Sequence, residues 1–372
     1  MRMPSNHIDD ALDLAIGRVK RGEIDRRTFL VALTSIVGAS ALQTGISFAQ
    51  AREIVVAMWG GQAMKHWSDV WNAAYTEQSG IPVAMDGEGP SIGKIRAMVE
   101  SGNVTWDCCD TGPADCILLG EGGFLREIDY SVVDRKKLHP GADYKYGVPN
   151  YYFAFVLGYN TEAFKEKAPQ NWVDFWNLKE FPGKRALIKD VVAQLEAALL
   201  GAGVPINEVY PFTKEKEELA LEQIRKIRDE TIFWSNGAEA EQLMRENAVS
   251  MGCFYTSRAT IMYHETSGRW DWTWNQSLTQ PSALIVPKSN PAGDEVWKYI
   301  ASTQNPELQV KLLQALGWAP ANPEATALVP ADLKKFNATD PAISELQLKL
   351  DMDLYAKERD RLYIAYSDVI AS

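Results

Sequence analysis

Cysteine and histidine are scarce in this chain, four of each in 372 residues. Cys108 and Cys109 adjoin in a segment that reads as a strand, where alternation sends their side chains to opposite faces. Cys116 and Cys253 complete the set with no CxxC pair and no zinc-ligand spacing. Buried free thiols are expected, with a disulfide at Cys116 left open for an oxidising compartment. His7, His66, His139 and His264 lie far apart, and no HExxH, GxSxG, P-loop or dinucleotide fingerprint occurs. The expectation is therefore no catalysis, no cofactor and no metal. A basic surplus is missing too: the net charge of −11 argues against nucleic acid or anionic lipid as partner, since both reward Lys and Arg. After residue 51 no segment approaches the ~18 uninterrupted apolar residues of a membrane-spanning helix, so the processed chain reads as soluble.

What is present begins with an address. Asp25-Arg26-Arg27-Thr28-Phe29-Leu30 sets an arginine pair one residue before Phe-Leu and resembles the signal of the twin-arginine export pathway. The apolar run Leu30 to Ala49 follows, diluted by Gly38, Gln43, Thr44 and Gly45 and so a poor permanent anchor. Ala49 and Ala51 offer an Ala-x-Ala cleavage site, and no cysteine follows to carry a lipid. Residues 1–51 are thus expected to be a twin-arginine signal peptide, leaving a mature chain in the periplasm that starts near Gln50 to Arg52.

With 46% hydrophobic and 23% charged residues the chain is globular, and it has room for two domains. Ile54-Val55-Val56-Ala57-Met58 reads as a buried strand ending at Trp59-Gly60-Gly61; Met64, Trp67, Trp71 and Ala74 then recur at helical spacing. Ile81 to Met85 is a second strand, Ile92 to Glu100 a helix, and Trp106 to Asp110 a third strand. This alternation implies βαβ units and a mainly parallel sheet. A long aromatic strand, Val148 to Asn160, suits a crossing between lobes. A second α/β region holds the strand around Ala186 to Asp190, a helix near 195–200 and an amphipathic helix from Thr213 to Asp229, and Ser282 to Pro287 suits the return crossing. Helices are expected over 294–303 and 306–316, with closing helices in 341–372.

Four features in order then carry a resemblance that covers essentially all of residues 52–372. They are the strand ending Met58-Trp59-Gly60-Gly61, the Trp106-Asp107 strand, the crossing Val148-Pro149-Asn150-Tyr151-Tyr152, and Gly317-Trp318-Ala319-Pro320-Ala321-Asn322. Asn160-Thr161-Glu162 leading to Trp172-x-x-Phe175-Trp176 is a fifth, similar to a "loop, then tryptophan, then sheet" segment. Together they resemble the spermidine/putrescine (polyamine) type of bacterial ABC-importer solute-binding proteins. The resemblance implies a two-lobed type II periplasmic-binding-protein fold of the Venus-flytrap kind, an α/β architecture with a mixed, mainly parallel sheet in each lobe. It also implies a monomer that delivers its ligand to permease subunits in the inner membrane. The lobes are expected over 52–150 with 282–327, and over 151–281 with 328–372, with crossings near 148–157 and 282–287.

The same resemblance places Trp59, Gly60, Gly61, Thr111, Gly112, Asp190, Tyr255, Ser282 and Trp318 at the ligand. The departures matter more. A second acidic position, three residues after Asp190, is Ala193, and the family's Trp-x-Asp before the return strand is replaced by Gln280-Pro281-Ser282. A polyamine needs several carboxylates as it leaves water. Where the family has a small polar residue stands Arg258, whose planar fork suits a carboxylate; an ion pair within the protein is the competing role. Arg258 with Asp190 would suit an amino acid or ω-amino acid, and Arg258 with neutral neighbours an organic acid; polyamine remains the alternative. Ferric iron would need Tyr151 and Tyr152 on one face, which strand alternation opposes. An exported enzyme is the remaining rival.

Overall fold

β1 (Ile54–Ala57) is the short apolar run anticipated above, buried at three of its four positions. In the computed structural model, which describes residues 53–372, it opens a strand–helix alternation. The signal-peptide reading of residues 1–51 lies outside the described residues. α1 (Gly61–Trp67) continues through a π-helical turn at Ser68–Asn72 into α2 (Ala73–Ser79). Trp67 and Trp71 are buried on one face, as their spacing predicts. β2 (Val83–Asp86) and α3 (Ile92–Ser101) follow, the helix capped by the Ser91 hydroxyl on the Lys94 amide. β3 (Cys108–Thr111) runs into α4 (Pro113–Glu121), with proline in the first turn where no amide is needed.

β4 (Val148–Asn160) is the long aromatic strand. Beyond it come α5 (Trp172–Trp176), β5 (Arg185–Ile188), α6 (Gln194–Gly201), α7 (Lys214–Ile227), β6 (Thr231–Trp234), α8 (Gly237–Arg245), β7 (Met251–Tyr255) and α9 (Thr256–Glu265). β8 (Trp270–Ile285) then traverses the molecule. α10 (Glu295–Thr303), α11 (Pro306–Leu316), β9 (Ala319–Pro320), α12 (Pro341–Ser344), β10 (Leu348–Lys349) and α13 (Met352–Ala371) close the chain.

The sheet order is β2-β1-β3-β8-β4-β7-β5-β6, with β9 on β4 and β10 on β8. β1, β2 and β3 are mutually parallel, as are β5, β6 and β7. Among the described strands, antiparallel pairing enters where β8 and β4 lie between the two sets and where β4 carries β9. The architecture is the mixed α/β fold expected. Cys108 packs with Ile54 and Val56, whereas Cys109 packs with Ala57 and Ile95 on the other face. All four cysteines are free and buried, which leaves no disulfide at Cys116.

Three of the elements that differ from the sequence expectation have a plain cause. β8 begins at Trp270, twelve residues before the expected return strand, because Trp270, Trp272 and Trp274 alternate into a strand that continues through polar Asn275-Gln276-Ser277. The Trp172 segment forms a short helix, its first turn fixed by the Asn171 side chain accepting from the Asp174 amide. β6 lay in no apolar run long enough to register.

Register locates the cleft. Thr111 at the end of β3 pairs with Ala283 of β8, which pairs with Pro149 of β4. Tyr255 at the end of β7 pairs with Phe155 of β4. The carboxyl ends of the two parallel sets therefore face each other along the β4–β8 ribbon, about 20 Å apart at ~3.3 Å per residue. Loops and helix starts at carboxyl strand ends are where open α/β sheets bind ligands.

Candidate ligand-binding cleft

The first edge is built by β1 to β3. Trp59 lies two residues past the end of β1 with 57% of its surface exposed. Gly60 has a positive φ of 68°, and a Cβ there would lie 2.8 Å from the Gly87 carbonyl oxygen, so only glycine lets the β1 and β2 ends close on each other. Gly61 is exposed and starts α1. Gly89 is tight against the Trp59 ring, where an added Cβ would lie 3.2 Å away. Thr111 is buried and Gly112 half-buried just before α4.

Behind these stands a group the sequence reading did not assign. Asp110 is fully buried and accepts hydrogen bonds from the Tyr151 hydroxyl, at 2.9 Å, and from the Ser282 hydroxyl. Burial pushes its carboxyl up to about 6, although both hydroxyls pull it back. The Tyr151 ring stacks on Trp318 with centroids 3.9 Å apart and planes 6° apart. Ser282 and Trp318 are thus engaged with the protein, forming a floor around Asp110 and Tyr151. Tyr152 turns the other way, towards His139.

The second edge is charged. Asp190 follows β5, half-buried, its Oδ1 accepting from the Val192 amide. Tyr255 ends β7 with its ring edge-on to Trp234 at 5.5 Å and near Phe153 at 5.8 Å. Its hydroxyl is pushed up by burial and by the Asp190 charge, while Arg258 and Arg359 pull it down. Arg258, in the first turn of α9, donates through Nη1 to Glu241 of α8 at 2.7 Å. Its Nε is buried with no hydrogen-bond partner, tight against Gly237, where a Cβ would lie only 2.2 Å away. The structure thus gives Arg258 a carboxylate of its own, the ion-pair role weighed against a ligand clamp. Its charge also reaches Tyr151 on the first edge.

Arg359, Asp115 and Glu241 went unnoticed in the sequence. Arg359 of α13 donates to Asp190 at 2.7 Å and lies 3.3 Å from Asp115 in the first turn of α4. The signal was there. Tyr355, Leu362, Tyr366 and Val369 are the buried residues of α13, and Arg359 falls at the matching i+4 position of that stripe.

The chain belongs to the bacterial extracellular solute-binding proteins, whose family profile matches residues 71–343. Among curated relatives, the gamma-aminobutyric acid-binding protein of Pseudomonas aeruginosa is 26% identical over 84% of this chain and 90% of its own length. The spermidine/putrescine-binding periplasmic protein 1 of Haemophilus influenzae is 23% identical over 72% of this chain and 75% of its own. Among solved structures, the Atu4243–GABA receptor is 30% identical with a TM-score of 0.79, over 86% of this chain and 98% of that one. The MotA binding protein of A. tumefaciens B6, in complex with glucopine, is 26% identical with a TM-score of 0.80, over 86% and 100%. These are solute-binding proteins, and the two-lobed type II fold that the sequence implied is the fold of such neighbours.

Proposed function

We propose that this chain, the substrate-binding component of an ABC importer, captures a small zwitterion of the amino-acid or ω-amino-acid kind between its two strand-end edges. One observation carries the reading. Asp115 and Asp190 share a single guanidinium, Arg359, and so hold one uncompensated negative charge at the cleft, matched to one ammonium. The ligand's carboxylate is then met by Arg258, whose guanidinium keeps 15% of its side-chain surface open beside Glu241, and by Thr111 and the backbone at Gly60-Gly61 and Gly112. Trp59 covers the mouth. Relatives that bind gamma-aminobutyric acid support this choice over a simple organic acid.

The lobes divide at 52–150 with 282–327, and at 151–281 with 328–372, and close on the ligand by differential affinity. The protein acts as a monomer that hands its ligand to inner-membrane permease subunits and catalyses nothing. It reaches the periplasm by the twin-arginine route, with cleavage near Ala49 to Ala51. Replacing Arg26 and Arg27 by Lys tests that route: the precursor should remain in the cytoplasm.

The ligand class is tested by thermal unfolding of residues 52–372 with 4-aminobutyrate, succinate, putrescine and spermidine. Native-state binding adds about 2.7 kcal/mol at one hundred times Kd. A rise with 4-aminobutyrate and little with spermidine is expected. A strong rise with polyamines and none with the zwitterion would replace this reading by the polyamine one, which the Haemophilus relative favours.

A further inference from the structure

We infer that Arg359 sets the charge class of the ligand: it fills a cation position between Asp115 and Asp190, so the cleft admits one ammonium and excludes dications. The inference rests on the reading that the ligand is an amine-bearing zwitterion. Its two carboxylate partners come from opposite edges, Asp115 from the helix that follows β3 and Asp190 from the loop that follows β5. Arg359 is held there by the helix that carries it. One turn earlier, the Tyr355 hydroxyl donates to the buried Glu196 carboxylate at 2.7 Å. Two turns later, the Tyr366 hydroxyl donates to the Ile188 carbonyl at the end of β5, also at 2.7 Å. Anchored on both sides, α13 presents the guanidinium to Asp190 as a fixed part of the wall.

The other carboxylates near the cleft are already engaged. Glu241 is paired with Arg258; Asp110 has no cation but is fully buried with both oxygens accepting from hydroxyls, and Asp86 at the end of β2 accepts from the Glu88 amide and the Trp106 indole. A diamine entering this site would bring a second ammonium to carboxylates whose oxygens are already taken by internal donors, and an unneutralised charge taken out of water is costly. Excluding a competitor by occupying its position is specificity by subtraction. Without Arg359, Asp115 and Asp190 would carry two uncompensated charges across the cleft, the complement of a short diamine.

The test is calorimetric titration of putrescine and 4-aminobutyrate into residues 52–372, as wild type, Arg359→Gln, Arg359→Lys and Asp115→Asn, each with its melting point recorded. Arg359→Gln should tighten putrescine binding about tenfold or more and narrow or reverse the preference for the zwitterion. Arg359→Lys should keep the wild-type ranking. Asp115→Asn, which leaves the remaining pair neutral, should weaken 4-aminobutyrate by about tenfold and serves if Arg359→Gln does not fold. Putrescine affinity unchanged within twofold in folded Arg359→Gln would overturn the inference, as would unchanged 4-aminobutyrate affinity in Asp115→Asn. A wild type that prefers putrescine sinks the zwitterion reading instead, and is visible before any variant is compared.

Discussion

The two strand-end edges of the cleft share a topology and differ in chemistry. On the first, three parallel strands end in an exposed tryptophan, glycines, a buried threonine, and a carboxylate sealed behind hydroxyls and a Tyr151–Trp318 stack. On the second, three parallel strands end among Asp190, Tyr255 and Arg258, with Glu241 and Arg359 alongside. Apart from Asp115, which reaches across to Arg359, the groups of the first edge bond to one another and make a stiff surface that can hydrogen-bond and stack. Partly exposed ion pairs make a surface whose charge a ligand must match. The first edge is thus expected to govern stability and shape, and the second the charge of what is bound. Each substitution below sharpens or breaks that division.

The largest effect should come from Asp190→Asn. It removes the uncompensated negative charge at the more exposed of Arg359's two carboxylates, 32% against 15% for Asp115, and so the one an ammonium reaches more directly. Loss of a charge partner of this kind corresponds to about 3 kcal/mol, or roughly 100-fold in Kd for 4-aminobutyrate. The apo melting point should fall little, because Asp190 is half-exposed. A large drop in melting point with unchanged affinity would place Asp190 in the framework and dissolve the contrast between the edges.

The complementary experiment addresses Asp110. Its folded carboxyl is raised to about 6 from an ordinary 3.8, so between those values the folded protein holds a proton that the unfolded chain releases. This group therefore adds stability as pH falls from 7 to 4, and the benefit is lost as pH rises through 6. Urea unfolding should show wild type gaining on Asp110→Asn by on the order of 2 kcal/mol between pH 7 and pH 4. Ligand affinity at pH 7 should be nearly equal in the two proteins. A flat stability difference across that range would show that Asp110 is not strained by burial.

The fold was legible because its signals are local. Apolar runs at Ile54 and Ala186, helical spacing at Trp67 and Trp71, and the long β4 segment each depend on neighbours within one element. β8 was half seen because only its apolar end, Ser282 to Ile285, shows the run that marks a buried strand. The site was harder for a physical reason. Asp190 and Arg258 announced themselves by position and charge, but their partners do not follow from proximity in the chain. Arg359 meets Asp115 from 244 residues away and Asp190 from 169. A buried stripe interrupted by arginine, Tyr355-Arg359-Leu362-Tyr366, was the available clue, since a cation at a core position requires carboxylates somewhere.

Arg258 stands next in size and crosses the division, because it is both a charge and a packed element. Arg258→Ala leaves Glu241, whose side chain is only 13% exposed, with Arg245 at 3.8 Å as its remaining cation. Apo stability should drop by about 1–2 kcal/mol, less than for a fully buried pair broken on one side. Affinity for the ligand's carboxylate should drop as well. Loss of stability with affinity intact would confine Arg258 to joining α8 and α9, and would move carboxylate recognition to the first edge. Gly237→Ala supplies an independent check, since the new Cβ displaces the guanidinium without removing its charge.

The smallest effect is expected at Trp59, and it is the one that separates contact from framework most cleanly. A tryptophan with 57% of its surface open contributes little burial to the folded state, so Trp59→Ala should leave the melting point within a degree or two. Against a ligand, the same ring can cover apolar methylenes or face an ammonium, a contact worth about 1 kcal/mol at a partly exposed site. The expected result is a loss of roughly fivefold in affinity, with Trp59→Phe recovering most of it. Intrinsic fluorescence would add little, since eleven other tryptophans emit, so the comparison is best made by titration calorimetry. If Trp59→Ala binds as wild type, the exposed ring serves a surface other than the cleft. The first edge would then contribute shape and backbone donors alone, leaving the second edge to carry the side-chain recognition.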